Sequence, residues 1–504
     1  MFVHGAVQAM PACTPDGLKR VLPRGATITL VHSVSETSGV PAHCLLEGTL
    51  PTEQNTLRFR IGLPRNWNRM FLFEGAGGMV GLLVPIDVGL KRGYAVATTD
   101  TGHQGTPVDV GWALNSLPKK IDWAYRAVHV TTVGAKSVVR AYYGEPIRRA
   151  FLEGMSNGGR QGLMEAQRYP DDYDGIIAGA PALAPTVGLL GWIWNLQVLA
   201  ASPSKLTPED FALIGKSTRD RCDGIDGLVD HLIEDPRWCE VPYDDLACHD
   251  PNGTACLDET KIASLRKLWN KPMLEDGQVL FSEEHGYEDD SSVWSWYAAV
   301  PGARSQQAVG LDILRNMFLD DPQRDLLSFD TQRDGPRVIR KWSAVVDATN
   351  PDLTPYLRRG AKLLLWQGWA DAAVPARYTI DYFWRARAVA QQRGLSAQAY
   401  DRSVRLFMVP AMGHGPGIGP WPTQDELLGT MEKWSESGIA PAAIVAQQRD
   451  ANGDVARSRP LCPLPLVARY MGSGSVNDAS SFHCVDSDAT TRLSRRASLH
   501  RLKR

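Results

Sequence analysis

The sequence predicts an α/β protein built on a mainly parallel sheet, and three observations support this fold class. Short, continuously apolar segments alternate with segments of helical periodicity, as in parallel strands covered by helices on both faces. The alternation stops near residue 183 and resumes near residue 351. A G-x-S-x-G pentapeptide lies between a strand-like and a helix-like segment. We therefore predict a discontinuous core of residues 1–182 and 351–485, interrupted by an inserted domain of residues 183–350.

The predicted core elements follow one another as strands and helices in regular order. Residues 1–60 read as short extended pieces with turns. In the first half of the core we expect strands at 57–63, 70–78, 93–100, 149–156 and 175–182, and helices at 120–143 and 158–170. In the second half we expect strands at 361–371 and 404–414, and helices at 376–392 and 423–438. The basic end, residues 486–504, contains almost no core-forming residues and is predicted to be a disordered tail.

Composition and charge limit the classes of partner. The chain has 504 residues, of which 43% are hydrophobic and 22% charged, and its 15 Trp and 14 Tyr residues need a core to bury them. The 54 Lys and Arg residues nearly balance the 56 Asp and Glu residues, so no basic field favours nucleic acid. Residues 175–204 carry no charge but are broken by proline and glycine, which indicates a buried strand, a turn and a helix, not a membrane span. We expect a small-molecule partner, with neither nucleic acid nor membrane, and the sequence carries no indication of oligomeric state.

The pentapeptide Gly154-Met155-Ser156-Asn157-Gly158 has the composition of a nucleophile-bearing turn. Its glycines let strand and helix approach closely, and the sharp turn lifts the Ser156 hydroxyl above the sheet edge. The first N–H groups of the new helix, including that of Asn157, then point at a developing oxyanion. A phosphate-binding glycine turn is the alternative, but such a loop would carry a lysine after its glycines. We predict that Ser156 is a nucleophile and that Asn157 is an oxyanion donor.

A nucleophilic serine needs a histidine base and an acid that orients the base. In this type of fold the acid and then the histidine follow the serine along the chain, each after a strand. Asp371 and His414 occur in this order, each at the end of an apolar segment, although singly they could be a helix N-cap and a loop histidine. His103 follows an earlier strand and is expected to be structural or at the pocket rim, and Asp381 lies within a predicted helix.

The second oxyanion donor is expected from the glycine-rich loop after the first core strand. Gly75-Ala76-Gly77-Gly78 occupies this position. We favour Gly78 and keep Gly77 as the alternative, and a plain glycine turn also remains open.

The eight cysteines bear on the cellular compartment. Their number is even, they fall in couples that are near in sequence, and no C-x-x-C pair occurs. This pattern favours disulfides over a zinc site, and hence a secreted or periplasmic protein, although eight buried thiols are an alternative. The first residues lack a convincing signal peptide, so the disulfide interpretation requires that a leader was removed or that translation starts further upstream.

An acidic loop at residues 222–236 suggests a cation site. Asp223, Asp226 and Asp230 crowd this short segment, and two glycines allow tight curvature. Clustered carboxylates repel one another unless a cation neutralises them, and a ligand set of oxygen atoms suits Ca²⁺. The spacing is not that of an EF-hand, and a solvated acidic turn is the alternative.

Several of these segments together resemble one family of enzymes. The block from Ser156 to Ala182, SNGGRQG followed by EAQRYPDDYDGIIAGAPA, is similar to the tannase and feruloyl esterase family of α/β-hydrolases, which includes bacterial mono(2-hydroxyethyl) terephthalate hydrolases. The resemblance extends over PAHCLLEG (41–48), FLFEGAGG (71–78), ATTDTGHQG (97–105), GWAD (368–371) and MGH (412–414). It implies an α/β-hydrolase core with a large lid at the position of the insertion. It also implies hydrolysis of carboxylic esters, mostly of aromatic acids.

The resemblance also implies disulfide pairs and calcium ligands. Asp223, Asp226 and Asp230 would bind Ca²⁺ by their side chains, and Leu228 and Leu232 by their backbone carbonyls. The implied disulfides are Cys13–Cys44, Cys222–Cys239, Cys248–Cys256 and Cys462–Cys484.

In one respect the chain departs from the family pattern. Many members carry a cysteine before the serine and another after the histidine, and these two form a disulfide. Here the two positions hold Met155 and Gly415. Packing alone therefore has to hold the turn that carries Ser156 against the loop that carries His414.

The sequence as a whole predicts a serine esterase that acts on esters of aromatic acids, phenolic or terephthalate-like, through a Ser-His-Asp triad and an acyl-enzyme. The alternatives are an aliphatic oligoester or lactone hydrolase, and a catalytically inert binding protein of the same fold. Aromatic residues of the inserted domain are candidates for substrate contacts, and these are Trp192, Trp194, Trp294, Trp296 and Tyr297.

Overall fold

A nine-stranded mixed sheet forms the centre of the molecule. The computed structural model describes residues 12–202, 205–239, 241–248, 256–281, 286–297, 306–325 and 327–487. Residues 488–504 of the predicted tail lie outside the described residues. The strands in the described part are β1 (Thr27–Val34), β2 (His43–Thr52), β3 (Asn55–Pro64), β4 (Met70–Glu74), β5 (Ala95–Thr99), β6 (Arg149–Met155), β7 (Gly175–Gly179), β8 (Lys362–Gly368), β9 (Val404–Val409), β10 (Ile444–Arg449), β11 (Val455–Leu461), β12 (Leu466–Tyr470) and β13 (Phe482–Asp486).

Helices cover both faces of this sheet. In chain order they are α1 (Pro15–Lys19), α2 (Asp87–Lys91), α3 (Leu117–Ile121), α4 (Ala127–Tyr143), α5 (Asn157–Arg168), α6 (Pro185–Ala201), α7 (Pro208–Cys222), α8 (Glu259–Trp269), α9 (Ser291–Trp294), α10 (Gln306–Asp312), α11 (Thr331–Val346), α12 (Thr354–Arg358), α13 (Ala376–Gln392), α14 (Ala397–Asp401) and α15 (Gln424–Ser437). A π-helical turn, Asp122–Arg126, joins α3 to α4. The helix predicted over 120–143 is therefore present, but its first part is α-helix α3 followed by one wider π-helical turn.

The strand order explains the apolar pattern of the core segments. The order is β1-β2-β3-β5-β4-β6-β7-β8-β9, and β5, β4, β6, β7, β8 and β9 are parallel neighbours. Phe71 and Phe73 pack into the core on one face, while Leu72 packs into the core on the other, so a central strand is apolar at every position. The predicted α/β class with its parallel sheet is confirmed.

The N-terminal part adds an antiparallel extension that the sequence pattern did not specify. β1 pairs with β2, β2 with β3, and β3 with β5, all antiparallel. Burial alternates along β2, as expected for strands with one face toward solvent.

Residues 183–350, the inserted segment, fall between the parallel neighbours β7 and β8. The segment is mainly helical and has its own hydrophobic cluster, which includes Phe211, Ile214 and Leu265. The uncharged stretch that follows β7 forms a turn and then α6, as predicted. Within the described residues, none of the helices has both the length and the apolar character needed to cross a bilayer.

Two antiparallel hairpins, β10–β11 and β12–β13, follow α15. Nothing in the sequence pattern predicted them, because their strands are short and carry many polar residues. β11 brings Arg457 and Arg459 to the acidic loop, where Arg457 Nη1 donates to the Asp230 carbonyl at 3.1 Å. The hairpins therefore connect the end of the core to the inserted segment.

All eight cysteines are paired, and none is free. One bond fastens the N-terminal segment to β2, two lie within the inserted segment, and one joins the two C-terminal hairpins. The pairs are those implied by the family resemblance, namely Cys13–Cys44, Cys222–Cys239, Cys248–Cys256 and Cys462–Cys484.

Candidate active site

Ser156 occupies a strained turn between β6 and α5. Its backbone has φ 61° and ψ −120°, a region that costs on the order of 1–3 kcal/mol for a residue with a Cβ. Gly154 and Gly158 make the turn possible, because a Cβ on Gly154 would lie 2.6 Å from the carbonyl carbon of Gly158. The Ser156 N–H donates to Gly179 O at 2.8 Å, which fastens the turn to β7. The serine is thus held where the sequence predicted it, at the carboxyl edge of the sheet.

His414 and Asp371 converge on Ser156 from the loops after β9 and β8. His414 Nε2 lies 2.9 Å from Ser156 Oγ, and His414 Nδ1 lies 2.8 Å from Asp371 Oδ2. The His414 side chain is 9% exposed and that of Asp371 is fully buried. A neutral imidazole that donates from Nδ1 to the carboxylate has a free lone pair on Nε2, which can accept the serine proton.

The carboxylate of Asp371 is fixed by a network that the sequence did not reveal. Gln367 Nε2 donates to Asp371 Oδ2 at 3.0 Å, and the N–H groups of Ala373 and Val374 donate to Oδ1 at 3.0 and 2.8 Å. Gln367 is itself fully buried and accepts from Thr379 at 2.9 Å. Each carboxylate oxygen therefore has a donor besides the histidine.

The inserted segment also contacts the loop after β8, which carries Asp371. Trp192 Nε1 donates to Ala373 O at 2.9 Å, and Gln306 Nε2 donates to Ala372 O at 3.2 Å. Its helices therefore help to position Asp371.

The glycine loop after β4 presents two free backbone donors beside Ser156. The N–H of Gly75 bonds to Glu153 O, that of Ala76 to Gln161 Oε1 and that of Met79 to Pro107 O. The N–H groups of Gly77 and Gly78 have no partner among the described residues, and both glycines line the cavity together with Asn157. The geometry therefore leaves Gly78 and Gly77 as the two candidates for the second oxyanion donor.

Side chains at the start of α5 connect the turn that carries Ser156 to the glycine loop after β4. Asn157 Nδ2 donates to Ala76 O at 3.1 Å, and Asn157 Oδ1 accepts from Arg160 Nε at 2.7 Å. Arg160 is fully buried, and its other nitrogens donate to the carbonyls of Trp123, Ala124 and Val346. The motif that carries the family resemblance thus contains positioning residues as well as the serine.

His103 supports the glycine loop, and none of its described hydrogen bonds reaches Ser156, His414 or Asp371. Its Nε2 lies 2.8 Å from Met79 O, and its ring stacks on Trp112 with centroids 3.8 Å apart. Burial lowers the pKa of His103 to about 4, so at neutral pH it is an uncharged donor to the loop. This agrees with the expected structural role, and Asp381 forms an exposed pair with Arg385 on α13.

A cavity of about 520 Å³ adjoins Ser156 and His414. Ser156 and His414 lie at its floor, and the inserted segment supplies much of its apolar wall, namely Leu183, Leu189, Trp192, Trp296, Val309, Ile313, Met317 and Phe318. Trp296 meets the His414 ring edge-on, with centroids 5.4 Å apart. Of the aromatic residues proposed from sequence, Trp192 and Trp296 line this cavity, while Trp194, Trp294 and Tyr297 pack in the cluster of the inserted segment.

Two glutamates, the buried Glu74 and the half-buried Glu153, lie beside the cavity, and the sequence did not single them out. Glu153, on β6, lines the cavity, and Gln424 Nε2 donates to Glu74 at 2.7 Å and to Glu153 at 3.0 Å. Burial raises the pKa of Glu153 to about 7, and burial together with the charge of Glu153 raises the pKa of Glu74 well above its usual range. The pair therefore retains a proton in the folded protein at pH values where free carboxyl groups have lost theirs.

The Glu153→Gln variant should gain thermal stability relative to the wild type as pH rises. A carboxyl group whose pKa is raised by folding stabilises the fold fully below its unfolded pKa, and this contribution is lost as pH rises through the folded value. We expect the melting-temperature difference between variant and wild type to grow from about pH 5 to about pH 8. The control is Glu145→Gln, which removes an exposed charge. An equal difference at both pH values would contradict the buried-pair interpretation.

The acidic loop folds around a second, much smaller cavity. Its volume of about 10 Å³ suits a single small occupant. Four of the five proposed ligand residues, Asp226, Leu228, Asp230 and Leu232, line it together with Glu234 and Arg459.

Asp223 has a different place in this loop. Its carboxylate accepts the N–H groups of Asp230 and His231 at 3.2 and 2.9 Å. Arg459 pairs with Asp230, and the carboxyl groups of Asp226 and Glu234 also line the cavity. This donor set fits a hard divalent cation.

The sequence and the structure both match known esterases. The family model described as tannase and feruloyl esterase matches residues 46–485. An uncharacterized esterase of Xanthomonas campestris pv. campestris is 33% identical, over 89% of this chain and 85% of the relative. The mono(2-hydroxyethyl) terephthalate hydrolase of Piscinibacter sakaiensis is 28% identical, over 92% of this chain and 89% of that enzyme. The crystal structure of feruloyl esterase B from Aspergillus oryzae superposes with a TM-score of 0.82 at 25% identity, covering 93% of this chain and 98% of that one.

Proposed function

Since this chain belongs to the tannase and feruloyl esterase family of α/β-hydrolases and is a carboxylic ester hydrolase, we propose that Ser156, His414 and Asp371 are its catalytic triad. The observation that carries the proposal is the continuous hydrogen-bonded chain from Ser156 Oγ through the imidazole to Asp371 Oδ2. Ser156 and His414, at the start of this series of hydrogen bonds, line a cavity large enough for a small ester.

In the proposed reaction, Ser156 Oγ attacks the ester carbonyl while its proton passes to His414 Nε2. The tetrahedral intermediate then collapses, the carbon–alkoxide bond breaks, and His414 returns the proton to the leaving alcohol. Asp371 holds the Nδ1–H tautomer and stabilises the imidazolium. Water repeats the two steps on the acyl-enzyme and releases the acid.

The oxyanion of the intermediate is stabilised by backbone N–H groups. Asn157 supplies one, aided by the positive end of the α5 dipole, and Gly78 supplies the second, with Gly77 as the alternative. Removing one such donor costs about 10²–10³-fold in rate in enzymes of this kind.

We propose that the inserted segment is a lid that selects aromatic acid esters without a negative charge. Trp192, Trp296 and Phe318 offer flat apolar contacts in the cavity. Among the described residues that line it, none is a lysine or arginine, and Glu153 is the one acidic side chain. A phenolic acid ester fits this lining better than a terephthalate monoester, whose free carboxylate would find no cation there.

A panel of esters tests the proposed specificity. We expect methyl ferulate or methyl gallate to be hydrolysed with higher kcat/KM than a terephthalate monoester, and a hydroxybutyrate dimer to be poorest. A preference for the hydroxybutyrate dimer would favour the aliphatic oligoester alternative. A fluorophosphonate that failed to label Ser156 would contradict its proposed role as the nucleophile.

We also propose that the acidic loop binds a structural Ca²⁺. Asp226 and Asp230 would hold it by side chains and Leu228 and Leu232 by carbonyls, which is supported by the cavity these residues line. Asp223 would shape the loop through its backbone hydrogen bonds or ligate as part of the set. The ion supplies charge neutralisation in the inserted segment and no chemistry at the triad.

Removal of calcium with excess chelator should lower the melting temperature, and added Ca²⁺ should restore it. The physical reason is that ligand binding to the folded state alone stabilises that state by mass action. A thermal melt with and without chelator measures the effect, with Mg²⁺ as the control cation. An unchanged melt, with no metal found by elemental analysis, would remove calcium from the proposal.

The four disulfides support a secreted or periplasmic location, since such bonds persist in oxidising compartments. Alkylation of protein taken from its native compartment tests this. We expect no modified cysteine without prior reduction, and eight alkylated cysteines would overturn the proposed location.

A further inference from the structure

A third group of ionisable side chains lies far from both the triad and the acidic loop. It consists of His129 on α4, Glu165 near the end of α5, and Asp172 in the following loop. Glu165 is nine residues beyond Ser156, so it lies about 13 Å further along the helix axis. The group is therefore at the opposite edge of the sheet from the catalytic cavity.

The three side chains converge on one point. One possible ligand atom from each residue lies within 4.8 Å of the others, and His129 Nδ1 is 2.6 Å from Asp172 Oδ2. The His129 ring is fixed by stacking on Tyr169, with centroids 3.7 Å apart and planes 6° apart. Zinc binds nitrogen and oxygen donors at 2.0–2.2 Å, so the three side chains would have to draw closer together around an ion.

Glu165 provides the observation that points to a ligand. Its side chain is 1% exposed, and neither carboxylate oxygen has a hydrogen-bond partner among the described residues. A buried carboxylate with no donor is costly, and the facing Asp172 makes it costlier. The site therefore holds a buried acceptor that no hydrogen-bond donor among the described residues satisfies.

The neighbouring cation does not fill this role. The Lys136 ammonium donates to the backbone carbonyl of Asp172, and it forms no ion pair with Glu165 within the described contacts. The Lys136 side chain also lies over the Tyr173 ring at 5.0 Å. The described ion pairs of the group include His129 with Asp172 and none to Glu165.

We propose that His129, Glu165 and Asp172 bind a divalent transition-metal cation of the zinc type. One imidazole nitrogen and two carboxylates form a ligand set that suits Zn²⁺ or Co²⁺ better than Ca²⁺. The His129 and Asp172 side chains are 30% and 14% exposed, so the ion and a water ligand can enter from solvent. The bound ion would join α4, α5 and the loop that leads to β7, and this role is independent of the ester chemistry.

Metal titration of the full chain tests the proposal, with Ca²⁺ present throughout to saturate the acidic loop. We expect one saturable equivalent of Zn²⁺ by calorimetry, a rise in melting temperature of about 2–5 °C, and visible absorption bands with Co²⁺. Loss of a partner that only orients a metal ligand costs about 10- to 100-fold in affinity. Glu165→Gln and His129→Ala should therefore weaken Zn²⁺ binding by at least that factor.

The control variant is Asp226→Asn, which alters the acidic loop and should leave this Zn²⁺ binding unchanged. His129→Ala changes a partly exposed side chain, so it keeps the test decisive if Glu165→Gln does not fold. No Zn²⁺ binding by the wild type would overturn the proposal, as would undiminished binding in either variant. In that case the stable arrangement is one proton shared by Glu165 and Asp172, and Glu165→Gln should then fold at least as stably as the wild type without metal.

Discussion

Replacing Ser156 with alanine should reduce ester hydrolysis by about 10⁴- to 10⁶-fold, since a triad acts as a unit and loses most of its effect with any member. The variant removes Oγ, the atom that lies 2.9 Å from His414 Nε2. Alanine has no more difficulty than serine with the φ of 61° at this position. The fold should therefore be retained, and the melting temperature should change little.

Steady-state rates with a chromogenic ester and a thermal melt together measure this result. Ser137→Ala on α4 is the matched control, because it makes the same chemical change at an exposed helical position. Activity of Ser156→Ala within about tenfold of the wild type, well short of the loss typical for a nucleophile, would place the nucleophile elsewhere.

That Ser156, Asp371 and His414 lie together could be predicted from sequence because of a general property of parallel sheets. The carboxyl ends of parallel strands meet at one edge, so residues that follow β6, β8 and β9 come together however far apart they are along the chain. Ser156, Asp371 and His414 each follow one of these strands, and the apolar segments that identify the strands are clear in the sequence. The same apolar segments also made the parallel core predictable.

The residues that contact the proposed triad and its cavity could not be predicted in this way. Gln367 lies within a buried strand, where a single polar residue has no distinctive pattern, and its role depends on contacts with Asp371 and Thr379. Glu74 and Glu153 become a pair only because Gln424, 350 residues beyond Glu74, bonds to both. Such contacts depend on the folded arrangement of distant segments and leave no periodic signal.

The C-terminal hairpins illustrate the same limit for secondary structure. β10 to β13 are five to seven residues long, and their pairing is stabilised by the inserted segment and by the disulfide between Cys462 and Cys484. Their intrinsic propensity to form strands is weak, and packing against the rest of the fold decides whether such segments become strands.

Replacing Asp371 with asparagine should lower kcat by about 10⁴-fold while changing the fold and KM little. Asparagine keeps an oxygen that can accept the N–H groups of Ala373 and Val374, as Asp371 Oδ1 does. The amide nitrogen then faces His414 Nδ1 and donates to it. The imidazole is forced into the tautomer with its proton on Nε2, so it cannot accept the Ser156 proton.

The kcat and KM values of Asp371→Asn, with a melt to check folding, separate this role from a purely structural one. Asp381→Asn is the matched control, since Asp381 is an exposed residue on α13 that pairs with Arg385 and lies outside the triad. We expect Asp381→Asn to retain wild-type kcat. A large rise in KM for Asp371→Asn with kcat preserved would mean that Asp371 shapes the substrate cavity, because loss of an orienting acid acts on proton transfer and leaves ground-state binding intact.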